Sequence, residues 1–123
     1  MRVDFLRLAD DDAMAFENFM LVLNLSKEDA NRPRRMQESA LRAAEVPLST
    51  AQTAAEAFKE TQKASKLAAG TVASDLWCAC HLFRAAGQSA GENGISNLRV
   101  LTDPARTSHL QGRLTEALAV FAL

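Results

Sequence analysis

Three consecutive carboxylates, Asp10, Asp11 and Asp12, interrupt an otherwise apolar segment near the start of the sequence. On a helix with about 3.6 residues per turn, only Asp12 among them shares a face with apolar residues. The other members of that face are Phe5, Ala9, Phe16, Met20 and Leu23. A carboxylate on a buried face is costly unless it is paired, hydrogen-bonded or neutral, and such a group suits proton transfer. Asp12 is therefore the first candidate acid or base; a helix cap, an arginine pair or a solvated position are the alternatives.

Sulfur and imidazole chemistry receive less support from the sequence. Cys78 and Cys80 are separated by one residue, which on a helix places them on different faces and disfavours a disulfide between them. We expect both to be buried as small apolar residues. His81 and His109 are far apart and lack the spacing of metal ligands, so no metal site is predicted.

Length and composition limit the function classes. With 123 residues, 48% hydrophobic and 24% charged residues and a net charge of -1, the sequence is typical of one soluble globular domain over residues 1–123. The charge balance gives no case for nucleic-acid binding. No apolar run of about 18 residues and no signal-peptide pattern occurs, so we expect a cytoplasmic protein without membrane contact. The basic cluster Arg32, Arg34 and Arg35 can be a solvated face.

The elements that would position these groups are helices. Alanine is frequent, isoleucine occurs once and tyrosine is absent, and no strand-like alternation persists, so the sequence predicts an all-α bundle of about five helices. The first helix is expected over residues 3–23. A second follows the turn at residues 26–33 and stops at Val46-Pro47, where a third begins.

The second half of the chain has clear helix boundary signals. Gly70 is expected to adopt a left-handed conformation at the end of the third helix, and Thr71 or Ser74 to cap the fourth. The glycines of residues 87–94 fit either a loop or a closely packed helix. Asp103-Pro104 predicts the start of the last helix. The apolar ending over residues 117–123 favours a homodimer or higher homo-oligomer.

Several blocks, taken in order, resemble a known family. They are the acidic block Leu8 to Phe16 (LADDDAMAF), Arg32 followed by Gln37 and Val46-Pro47-Leu48, the pair Ser74-Asp75, and Asn93 with Asn97-Leu98 followed by Asp103. In this order and spacing the sequence is similar to the formiminotransferase-cyclodeaminase C-terminal family, which includes methenyltetrahydrofolate cyclohydrolases. It departs from that pattern at its start, where the family has a glycine-rich Pro-Gly-Gly-Gly-Ser segment, and before Ser74, where the family has Gly-Asn.

The resemblance implies an enzyme of folate one-carbon metabolism. In the cyclodeaminase reaction the anilino nitrogen of 5-formiminotetrahydrofolate attacks the formimino carbon and ammonia leaves; in the cyclohydrolase reaction water adds to the methenyl carbon. Both move a proton and pass through a cationic amidine-like centre, and the sequence does not separate them. Tetrahydrofolate is the substrate in both, and neither reaction requires a metal or a further cofactor. The alternative is an inactive, N-terminally short member that serves as a helical assembly or regulatory subunit.

The same resemblance suggests roles for individual residues. Asp12 is expected to move the proton. Asp10 is the less favoured candidate for that role and is otherwise expected to bind the substrate, while Asp11 faces water. Ser74 and Asp75 either bind the pterin ring or cap a helix. Asn93 and Asn97 either present amides to the ligand or join two helices. Arg32 either meets the glutamate tail of folate or belongs to a solvated basic face.

Overall fold

The alanine-rich sequence folds into four α-helices, which the computed structural model describes over residues 1–122. They are α1 (Arg2–Leu23), α2 (Arg32–Leu67), α3 (Gly70–Leu98) and α4 (Pro104–Ala119). The described residues contain no strand, so the prediction of an all-α bundle is confirmed. The predicted number of about five helices is wrong, because one expected boundary lies inside a continuous helix.

That boundary is Pro47, which lies within α2 and is buried. A proline inside a helix has no backbone N–H, so the carbonyl four residues earlier loses its usual partner. Here that carbonyl belongs to Ala43, and it accepts a hydrogen bond of 2.7 Å from the side-chain amide of Asn97 on α3. Because the tertiary structure supplies the missing donor, α2 continues where the sequence predicted a break.

The remaining helix boundaries follow local backbone chemistry. Gly70 has φ +64, a left-handed conformation that glycine adopts without strain, at the turn between α2 and α3. The expected caps Thr71 and Ser74 are wrong, since α3 already starts at Gly70 without a side-chain cap. At α4 the prediction is confirmed: the Asp103 carboxylate accepts hydrogen bonds from two backbone N–H groups of the first turn.

The core is centred on α2, which packs against each of the other three helices. Phe58 of α2 is almost fully buried and meets Phe121 edge to face, with 5.3 Å between the ring centroids. Ala117 and Phe121 are both buried within this one chain, and Leu123 lies outside the described residues. The buried residues of the apolar ending therefore pack on the chain's own core. They no longer support a homodimer, which stays a prediction.

The two cysteines lie in different surroundings. Cys80 is buried as expected, and this burial raises the pKa of its thiol, while the positive charge of Arg84 opposes the rise. The burial predicted for Cys78 is wrong: this residue is exposed, because two positions before Cys80 on α3 it lies on a different face of the helix. None of the helices in the described part of the chain is long and apolar enough to cross a membrane.

The glycines of residues 87–94 belong to a helix and not to a loop. All three lie in α3 and are buried where α3 meets the chain's C-terminal part. A Cβ atom added at Gly87 would overlap the ring of Phe121, and one at Gly91 would lie 2.8 Å from a methyl carbon of Leu118. The missing side chains therefore allow close contact between α3 and the residues at the end of α4.

We expect Gly87→Ala and Gly112→Ala to change stability in opposite directions. Gly112 lies in α4 with open space where the methyl group of alanine would lie, so alanine should raise the free energy of unfolding by about 1 kcal/mol through helix propensity. At Gly87 the methyl group must displace the buried Phe121 ring, and we expect a loss of about 1–2 kcal/mol. Urea unfolding measures both; equal stabilisation by the two variants would show that the contact at Gly87 is loose.

Candidate functional site

The orientation of α1 determines which of its carboxylates meets the rest of the protein. Its buried residues are Leu8, Ala15 and Val22, which recur every seven residues, and the first two pack against Val46 of α2. Helix α1 therefore buries a different face from the one predicted. Asp12 is exposed, so the expectation that it lies on a buried face is wrong.

The neighbouring carboxylate is less exposed than expected. The side chain of Asp11 is 30% exposed, and its carboxylate lies 3.9 Å from the guanidinium of Arg42 on α2. The expectation that Asp11 faces water holds only in part, since the side chain keeps solvent contact while the rotation of α1 also turns it towards Arg42 of α2. A pair with so much solvent contact contributes little to stability.

Although exposed, Asp12 borders an open groove between α1 and α3 whose floor is α2. Two adjoining cavities form it, of about 310 Å³ and about 260 Å³, and both are lined by Asp12 and Asn93. We call these two cavities together the α1–α3 groove. Near the start of α1 the rings of Phe5 and Phe83 stack with centroids 6.0 Å apart and narrow the space between the two helices. The larger cavity lies within the usual size of small-molecule sites, about 300–1,000 Å³.

The larger cavity combines an apolar wall with a line of polar groups. Its apolar lining comes mainly from α1 and consists of Ala15, Phe16, Phe19 and Met20, with Ala43 from α2. Its polar lining consists of Asp12 from α1 and of Asn93, Ser96 and Asn97 from α3. Such a surface can receive a flat, partly apolar ring on one side and hydrogen-bonding groups on the other.

Asp12 supplies the only charge among the described residues that line the α1–α3 groove. No arginine or lysine of the described chain lines either cavity, so nothing in the groove neutralises this carboxylate. The site therefore favours ligands that carry N–H groups or positive charge over anionic ones.

The two asparagines on α3 differ in what their side chains do. Asn97 is partly buried and holds the Ala43 carbonyl described above, so it joins two helices and lines the larger cavity as well. Asn93 is one helical turn earlier, is exposed and lines both cavities. The structure therefore brings Asp12, Asn93 and Asn97 to one groove, although about 80 residues separate the first from the other two.

Four other candidates are not part of this groove. Asp10 is exposed on α1 and lines neither cavity. Arg32 donates a hydrogen bond of 3.2 Å to the carbonyl of Leu23 and so binds the end of α1. Ser74 and Asp75 are exposed in the first two turns of α3. At 1.5 Å per residue they lie about 27 Å along the helix from Asn93, too far to share a small ligand within one chain.

Sequence reasoning also missed residues that contribute to the site. Ser96 and Phe19 line the larger cavity, but neither stands out by type or spacing. The one available signal was position: Ser96 adjoins Asn97, and Phe19 lies two turns after Asp12 on the same helix. Over residues 1–122, no three His, Cys, Asp or Glu side chains gather in a way that could hold a metal ion.

Comparison with known protein families gives a match over most of the chain. The family model described as formiminotransferase-cyclodeaminase matches residues 1–116, which is nearly the whole chain. No curated protein sequence matches the chain at a significant level. The matched range includes α1, α2 and α3 and therefore every residue of the α1–α3 groove.

Proposed function

We propose, since the chain belongs to the formiminotransferase-cyclodeaminase family, that it binds a tetrahydrofolate one-carbon derivative in the α1–α3 groove and acts on it. The reaction is either release of ammonia from 5-formiminotetrahydrofolate or hydrolysis of 5,10-methenyltetrahydrofolate. One observation carries this proposal: Asp12, Asn93 and Asn97, which are candidate site residues on the sequence alone, line the same groove.

Asp12 is the residue to which we assign proton transfer. In ammonia release, positive charge develops at the carbon between two nitrogen atoms, and an unneutralised carboxylate beside that carbon stabilises it. In hydrolysis that carbon is already cationic in the substrate, and the same carboxylate can take up the proton of the attacking water. In ammonia release, the anilino nitrogen forms a bond to the formimino carbon and gives up its proton, while the departing amino group must gain one. A carboxylate within hydrogen-bond reach of both nitrogens can carry that proton.

The apolar wall explains how an exposed carboxylate can transfer a proton and stabilise a cationic carbon. Phe16 and Met20 are among the exposed apolar side chains of α1, and both line the larger cavity. A flat ring that packs against them would cover Asp12 and remove water from its surroundings. In that lower dielectric the attraction between the carboxylate and a cationic centre becomes stronger.

Two assays on the purified chain test this function and distinguish the reactions. The first follows ammonia release from 5-formiminotetrahydrofolate, and the second follows the disappearance of 5,10-methenyltetrahydrofolate above its spontaneous hydrolysis. Turnover in the first alone identifies a cyclodeaminase, and turnover in the second alone identifies a cyclohydrolase. No turnover in either assay, with the chain folded by circular dichroism, would contradict the proposed enzyme.

A second function is favoured by one feature of α1. Its outer face carries the exposed apolar side chains Val3, Leu6, Met14 and Leu21, which no described part of the chain covers. A surface of this kind suits contact with another helix, so an inactive assembly or regulatory subunit is the second candidate. A chain that forms a stable oligomer in light scattering but binds no folate would support this function over the enzyme.

A further inference from the structure

We propose that Pro47 and Asn97 together fix a hydrogen-bond acceptor in the α1–α3 groove, which makes Asn97 a substrate-binding residue whose orientation α2 determines. This inference rests on the proposed function, because it names what the same site recognises. The ligand class is a one-carbon carrier that presents an N–H group or a cationic nitrogen to the groove.

The Ala43 carbonyl determines which end of the Asn97 amide is left to face the cavity. The Ala43 carbonyl lacks a helical N–H partner because Pro47 has none to give, and it lies 2.7 Å from Nδ2 of Asn97. A carbonyl oxygen can only accept a hydrogen bond, so the NH₂ group must be the end that faces Ala43. The amide orientation therefore follows from chemistry.

Because the amide is planar, fixing its nitrogen also fixes the position of its oxygen. With Nδ2 held by Ala43, the Oδ1 atom of Asn97 is the end that remains for a ligand, and Asn97 lines the larger cavity. Rotation of the side chain would abandon the Ala43 carbonyl, which has high cost at a partly buried position. Asn97 thus offers an acceptor that is held in place before the ligand arrives.

The Asn97 acceptor lies in a groove whose lining carries negative charge and no positive charge. The Asp12 carboxylate also only accepts, and no basic side chain of the described residues lines the cavity. Asn93 and Ser96 can donate as well as accept, so two fixed acceptors and the absence of a cation favour ligands that donate. In 5-formiminotetrahydrofolate the donors are the ring and anilino N–H groups. The anionic tail of such a ligand would extend out of the groove into solvent.

The test compares four chains: the parent, Asn97→Ala, Pro47→Ala and the double variant. In the parent background, Asn97→Ala leaves the Ala43 carbonyl without a partner, so we expect Tm to fall by about 4–10 °C. Pro47→Ala restores a backbone N–H for that carbonyl, so the second Asn97→Ala step should then lower Tm by less than half as much. An equal fall in both backgrounds would overturn the link between Pro47 and Asn97.

Calorimetric titration with 5-formyltetrahydrofolate tests the recognition. We expect Asn97→Ala to weaken binding about 10-fold in the parent background. In the Pro47→Ala background the effect should be smaller but still measurable, because the amide is then no longer held by the Ala43 carbonyl but can still accept a hydrogen bond from the ligand. Equal affinity of Pro47→Ala and the double variant would overturn the inference and leave Asn97 a purely structural residue. Absence of binding by the parent chain would instead overturn the proposed function. The Tm comparison needs no ligand, so it would still test whether the Ala43 carbonyl holds the Asn97 amide.

Discussion

Replacing Asp12 by asparagine should lower turnover of the folate substrate by about 10²- to 10⁴-fold, the range that a positioned acid or base contributes. Asparagine has nearly the same shape and still forms hydrogen bonds, but it carries no charge and does not take up a proton. Since Asp12 is exposed, the variant should fold as the parent does. Turnover and the affinity for 5-formyltetrahydrofolate are measured together, and we expect only turnover to change strongly.

Glu17→Gln is the matched control for this variant. Glu17 is also an exposed acid on α1, but it lines neither cavity of the α1–α3 groove. Its replacement removes the same unit of negative charge from the same helix, so any general effect of charge would appear in both variants. Equal turnover of Asp12→Asn and the parent would show that Asp12 takes no part in the chemistry.

Replacing Ser96 by tryptophan should abolish folate binding, with a loss of affinity of at least about 100-fold. Ser96 is exposed and lines the larger cavity of about 310 Å³. An indole ring at this position would occupy much of that space and cover the polar groups beside it. Because the side chain can fill an open groove without displacing core residues, we expect little change in Tm.

Ser108→Trp provides the control for the added indole. Ser108 is exposed on α4 and belongs to neither cavity of the groove. Both variants carry the same new side chain on a helix surface, and only Ser96→Trp should lose the calorimetric signal. If Ser96→Trp binds 5-formyltetrahydrofolate as tightly as the parent, the ligand site lies elsewhere.

Much of the fold was predictable because helix signals are local. The acidic block and its apolar neighbours indicated α1 within one residue of its observed start, and Asp103-Pro104 marked the start of α4. The boundary at Pro47 was not predictable, because the donor that keeps α2 continuous belongs to Asn97, 50 residues later in the sequence. Local propensity gives no information about such a partner.

The candidate site was predictable only in part, because it depends on tertiary contacts between helices that the local sequence does not determine. Asp12, Asn93 and Asn97 line one groove, but the expected burial of Asp12 was wrong because Leu8 and Ala15 turn a different face of α1 towards α2. Periodicity indicates that a helix has an apolar face without fixing the neighbour it contacts. Ser74 and Asp75 resemble family positions, yet the length of α3 separates them from the groove in this chain.

Titration calorimetry of the parent chain with 5-formyltetrahydrofolate shows whether the α1–α3 groove binds a tetrahydrofolate derivative. We expect saturable binding with one ligand per chain, and we expect Ser96→Trp to abolish it. No heat of binding from the folded parent chain at millimolar ligand would contradict the proposed binding and leave the helical assembly subunit as the function to pursue.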